Sequence, residues 1–103
     1  MVKLVNSAAD FKKSIATGVS VVDFYATWCG PCKVIAPKVV EFSKQYPNAT
    51  YLKVDVDQLS DLAQEYGIRA MPTFMIFKDG EKVDELIGAN PVKLEEKIKQ
   101  YVQ

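Results

Sequence analysis

Both cysteines of the chain lie in one hexapeptide, Trp28-Cys29-Gly30-Pro31-Cys32-Lys33. Two thiols spaced this way at the head of a helix are close enough to bond. Free N–H groups and the positive dipole end of the helix favour a thiolate there. A thiolate attacks a foreign disulfide, forms a mixed disulfide, and is released when the second thiol attacks in turn. The spacing predicts that Cys29, at or just before the first helical turn, is the exposed, acidified nucleophile. Cys32, one turn further in, is the more enclosed resolving thiol. Gly30 and Pro31 bring neither charge nor a hydrogen-bonding side chain, so the thiolate is helped mainly by backbone and the dithiol stays a good reductant. Pro31 also pre-sets φ for a first turn and stiffens the pair. A zinc half-site is the rival use of two such thiols. Zinc takes about four ligands, and the chain has no histidine to add to the two sulfurs.

Cys32 must lose a proton before it attacks, and without histidine another group must take it. Asp23 interrupts the apolar run Val21-Val22-Asp23-Phe24-Tyr25 six residues before Cys29. Burial raises a carboxyl's pKa towards the range useful for a base near neutrality. The alternative is a strand-edge aspartate facing water. Lys53, in the alternation Tyr51/Lys53/Asp55, is placed on the neighbouring strand to moderate that charge. It reads equally well as a solvated lysine.

The elements that must hold these groups follow from periodicity. Lys3–Val5 reads as a short strand, and Ser7 as an N-cap with Asp10 as its capping-box acid. Residues 19–26 read as a central strand, apolar on both faces. Ile35, Val39, Phe42 and Tyr46 form one helical stripe, with a kink expected at Pro37. Residues 51–56 are the next strand, then a short helix around Leu59, Leu62, Ala63 and Tyr66. Strands at 73–77 and 82–87 are joined around Asp79-Gly80, a hairpin signal. Asn90-Pro91 caps a last helix with Leu94, Ile98, Tyr101 and Val102 on its core face; Lys93 to Lys99 read as a merely solvated face. The order β-α-β-α-β-α-β-β-α predicts an α/β fold: a mixed five-stranded sheet, parallel in its first half, flanked by four helices in a single domain over residues 1–103. The site falls beyond the carboxyl end of a strand, where open α/β sheets usually place one.

Thirteen basic residues balance thirteen acidic ones over 103 residues, so there is no basic footprint for nucleic acid. No apolar run reaches membrane-spanning length. The first seven residues lack the apolar core of a secretory signal. A bridge closing so short a loop is a poor staple, so a reducing, cytoplasmic home is expected.

With these residues assembled, the chain resembles the thioredoxin family. Asp23-Phe24-Tyr25-Ala26-Thr27-Trp28-Cys29-Gly30-Pro31-Cys32-Lys33 matches the family's active-site segment, and Pro37 its kinking proline. Gly67-Ile68-Arg69-Ala70-Met71-Pro72-Thr73 matches its second signature, and Gly80 and Gly88 its late glycines. The resemblance covers the whole chain and lies nearest the small cytosolic thioredoxins of fungi. It implies a cis bond before Pro72, which by composition alone reads equally as an ordinary loop proline. It implies strand-like pairing of a substrate with the Met71 backbone. It also implies a flat docking face made by Trp28, Gly30, Pro31, Ile68, Met71, Pro72, Gly88 and Ala89. Tyr25 stands where some relatives have tryptophan, and an aromatic there should preserve packing. The activity implied is general protein-disulfide reduction by a monomer that binds no cofactor. Its electrons would come from NADPH through thioredoxin reductase. Its clients would include peroxiredoxins and reductive enzymes. A disulfide oxidase or isomerase, a glutathione-dependent relative, and a structural subunit with an incidental redox pair are the other readings.

Overall fold

The computed structural model describes residues 1–102. β1 (Val2–Leu4), α1 (Ala8–Ser14), β2 (Val19–Tyr25), α2 (Gly30–Gln45), β3 (Thr50–Asp55), α3 (Ser60–Glu65), β4 (Thr73–Lys78), β5 (Glu81–Ile87) and α4 (Pro91–Tyr101) follow in chain order. The five strands form one sheet in the order β1-β3-β2-β4-β5. β1 and β2 flank β3 in parallel, and β4 and β5 join antiparallel. This is the mixed sheet the element order predicts, with β2 at its centre.

Alternation along the strands sends two sets of side chains to opposite faces. Val22, Phe24, Leu52, Val54, Met75 and Phe77 join Phe11, Ile15 and Leu62 from α1 and α3 in one core. Aromatic rings bind it together: Phe11 and Tyr66 each meet Phe77 edge-on, with centroids 5.6 and 5.5 Å apart. On the other face Val21, Tyr51 and Phe74 pack against Ile35, Val39 and Phe42 of α2 and Leu94 and Ile98 of α4.

Several boundaries differ from the sequence reading by a residue. β1 begins at Val2 instead of Lys3; Val5 lies past its end, yet its N–H still donates to Lys53 O at 3.0 Å. Asp10 does not close a capping box on Ser7. The Ser7 hydroxyl accepts from Asp10 N, while the Asp10 carboxylate accepts from Asn6 N and pairs with Lys3. α2 continues through Pro37 to Gln45. The charged side of α4 is more than a solvated face: Lys97 pairs with Asp84 of β5 at 2.9 Å, and Glu95 accepts from the Tyr46 hydroxyl at 2.6 Å. Tyr101 is only half-buried, its hydroxyl donating to Asp84 at 3.1 Å. At the hairpin, Asp79 and Gly80 both take positive φ, 49° and 88°, the paired left-handed geometry that a tight two-residue turn needs.

Candidate active site

β2 ends at Tyr25, and the chain turns through Ala26-Thr27-Trp28 into α2. Cys29 is the N-cap of that helix, with extended backbone (φ −85°, ψ 112°), and Pro31 occupies the first turn. Cys29 and Cys32 form a disulfide with their Cα atoms 5.3 Å apart. The Cys32 N–H donates to Cys29 Sγ at 3.2 Å. That is one of the unpaired donors of a helix start, aimed at the sulfur where negative charge would rest.

Exposure does not separate the two sulfurs as the spacing predicted. Cys29 is 5% exposed and Cys32 4%. Ala26 and half-buried Met71 pack against both, and the Met71 carbonyl oxygen lies 3.7 Å from Cys29 Sγ. The covering is shallow, since Trp28, Gly30, Pro31 and Lys33 around the pair are all exposed. What distinguishes the cysteines is what each faces. Cys29 faces the Met71 backbone. Cys32 lines a cleft of about 280 Å³ with Asp23, Tyr25, Lys33, Ala36 and Lys53.

Asp23 sits at the heart of the sheet, in register with Lys53 of β3 and Phe74 of β4. It is 6% exposed, and its Oδ1 has no hydrogen-bond partner. Burial pushes its carboxyl up to about 7, with the Lys53 charge pulling the other way. The strand-edge alternative is therefore excluded. Lys53 is half-buried and not simply solvated: its Nζ lies 5.9 Å from the centre of the Tyr25 ring.

The Met71-Pro72 bond is cis. Its loop is tied twice: the Thr73 hydroxyl donates to Ala70 O at 2.6 Å, and Gly88 N donates to Pro72 O at 2.9 Å. The second bond brings Gly88 beside Pro72. Trp28 is 66% exposed at the rim. Pro72 is buried, and Ile68 packs against the Phe11–Phe24 core, so the two contribute less open surface than the sequence suggested. Asp57 is a site residue that the sequence reading missed. Its carboxylate accepts from the Trp28 indole at 2.9 Å and fixes the ring's orientation. Its place just past the end of the strand beside β2 was the available signal.

A thioredoxin family model matches residues 2–100 of the chain. The chain belongs to the thioredoxin family. Thioredoxin-1 of Schizosaccharomyces pombe is 56% identical over 100 residues, 96% of this chain and 97% of that protein. Thioredoxin-2 of Pyricularia oryzae is 61% identical over 90 residues, 86% of this chain; the chain spans about half (53%) of that relative's length. The solved structure of Plasmodium falciparum thioredoxin superposes with a TM-score of 0.95 at 44% identity, covering 97% of this chain and 99% of that one. Thioredoxins are protein-disulfide oxidoreductases that carry no prosthetic group and work with thioredoxin reductase. The fold, the fungal likeness and the disulfide-forming pair expected from the sequence are all those of a thioredoxin.

Proposed function

We propose that this thioredoxin is a general protein-disulfide reductase in which Cys29 attacks, Cys32 resolves, Asp23 accepts the resolving proton and Lys53 tunes Asp23. The Cys29 thiolate attacks one sulfur of a client disulfide. A Cys29–client bond forms, and the client's other sulfur leaves as a thiolate. Asp23 then takes the Cys32 proton through the shared cleft. Cys32 attacks Cys29 Sγ, the intramolecular disulfide closes, and the second client sulfur leaves; two electrons have passed to the client. The observation that carries the reading is the two-sided placement of the pair. The Cys29 side meets a backbone carbonyl that an extended client can pair with, and the Cys32 side meets a buried carboxylate with one oxygen unpartnered.

The docking face in this reading is Trp28, Gly30, Pro31, Met71, Gly88 and Ala89, underlain by Pro72 and Ile68. Thioredoxin reductase recharges the disulfide with electrons from NADPH, and peroxiredoxins and reductive enzymes of the cytoplasm are the clients. The protein acts as a monomer in this reading, and no cysteine lies outside the pair to link two copies through a disulfide. Substitution of the cysteines tests the assignment. Cys32→Ser should accumulate a client joined through Cys29, released by dithiothreitol, while Cys29→Ser should trap nothing and lose reductase activity. A trapped client in Cys29→Ser but none in Cys32→Ser would reverse the two roles.

A further inference from the structure

Lys53 faces Asp23 across the β2–β3 ladder, yet no ion pair within 4.0 Å joins them. A buried carboxylate with an oxygen lacking a hydrogen-bond partner, as Asp23 Oδ1 is, would ordinarily draw a neighbouring ammonium into contact. Here the ammonium stands instead 5.9 Å from the centre of the Tyr25 ring, within the range of a cation–π attraction. Tyr25 is two residues from Asp23 on the same strand, so both side chains leave the same face of the sheet. All three line the cleft that Cys32 closes.

We propose that Tyr25 is a positioning residue for the resolving step: its ring holds the Lys53 ammonium out of contact with Asp23 and leaves that carboxylate free to take the Cys32 proton. The inference rests on the assignment of Asp23 as proton acceptor. The other groups around Asp23 do not replace Lys53. From α2, Cys32 and exposed Lys33 line the same cleft, and exposed Lys44 lines a second one that Asp23 and Lys53 also border. The Met1 amine also lines that second cleft but donates to Ser43 Oγ at 3.0 Å. β4 presents only Phe74 in register. Asp55, in register with Tyr25, carries the one other charge of β3; burial raises the Tyr25 phenol's pKa, helped by Asp55 and then Asp23. An aromatic at position 25 thus has a task beyond filling space.

The test is an NMR titration of the Asp23 carboxyl in the oxidised protein, beside the pH profile of mixed-disulfide resolution in single turnovers. With the ring removed in Tyr25→Leu, Lys53 closes on Asp23, and both midpoints fall by about one pH unit, as an opposite charge in contact requires. Tyr25→Phe keeps the ring and restores the native midpoint. Tyr25→Trp, a second folded probe with a stronger cation-binding face, moves the midpoint up. In a Lys53→Met background these shifts vanish. A shift in Tyr25→Leu that persists without Lys53 would mean that the ring only excludes water, and the proposal is overturned; an unmoved midpoint overturns it too. A carboxyl midpoint that falls while the kinetic profile stays put supports the placement of Lys53 and overturns Asp23 as the proton acceptor.

Discussion

The two faces of the central sheet are built to different standards. The face under α1 and α3 is an aromatic and aliphatic core in which Phe11, Phe24, Tyr66 and Phe77 contact one another. The face under α2 is interrupted by Asp23 and Lys53, which border two clefts. The same strands supply both faces, so the difference lies in side chains and not in topology. Stability is concentrated where no chemistry occurs, and the face that carries the chemistry gives some of it up. A buried carboxylate without a partner would be purged from a core that had only to fold.

Truncation on the closed face is expected to give the largest effect. Phe77→Ala should lower unfolding free energy by about 3–5 kcal/mol, read from denaturant midpoints. Phe77 is 1% exposed and meets two rings edge-on. Disulfide reductase activity per folded molecule should be unaffected, because no part of the ring reaches the cleft. A large loss of activity in the folded fraction would mean the faces are coupled.

Asp23→Ala should act with the opposite sign on stability and, unlike Phe77→Ala, should slow the chemistry. Its folded pKa of about 7 lies above the ordinary carboxylate value of 3.8. The native state therefore binds the proton more tightly than the unfolded state between those limits. This group costs no stability below about pH 4, and stability is lost as pH rises through about 7. A shift of about three units corresponds to roughly 4 kcal/mol at full ionisation. Asp23→Ala should accordingly gain about 2–4 kcal/mol at pH 8, after allowance for the cavity it leaves, and nothing at pH 4. Resolution of the mixed disulfide at pH 7 should slow about 100-fold. A variant that is less stable at pH 8 would show that the carboxylate supports the fold after all.

Much of this contrast was legible in the sequence. The apolar neighbours of Asp23 announced its burial, and alternation in the following strand put Lys53 opposite it. The Asp79-Gly80 pair announced the hairpin. The depth of Cys29 was not legible, because it depends on Met71, which arrives from a loop 42 residues away. The contact of Lys53 with Tyr25 was hidden for a similar reason: register fixes which residues are neighbours, not which of two neighbours a long side chain chooses. Asp57 escaped because an exposed aspartate in a turn looks like any other until an indole is seen to donate to it.

Asp57→Ala should have a smaller effect. Freed from its acceptor, the Trp28 ring samples more orientations at the rim. The Michaelis constant for a protein disulfide should rise about threefold with little change in turnover, as loss of one exposed hydrogen bond implies. A fall in turnover alone would mean that Asp57 acts on the chemistry and not on docking.

Ser20 supplies the finest test of the contrast. It lies on β2 at two-residue spacing from Val22 and Phe24, hence on the closed face, and it is fully buried with no partner for its hydroxyl. By the reasoning applied to Asp23 it is a defect, but a hydroxyl has no proton to trade near neutral pH and sits on the side away from α2. Ser20→Ala should therefore raise unfolding free energy by about 1 kcal/mol. That gain should be the same at pH 4 and pH 8, and reductase activity should not change. Both substitutions delete a buried polar group from one strand, so pH dependence is what separates a fault of packing from a group that, in the proposed mechanism, trades a proton. A gain at Ser20 that depended on pH would place an ionising group on the closed face and erase the distinction between the two.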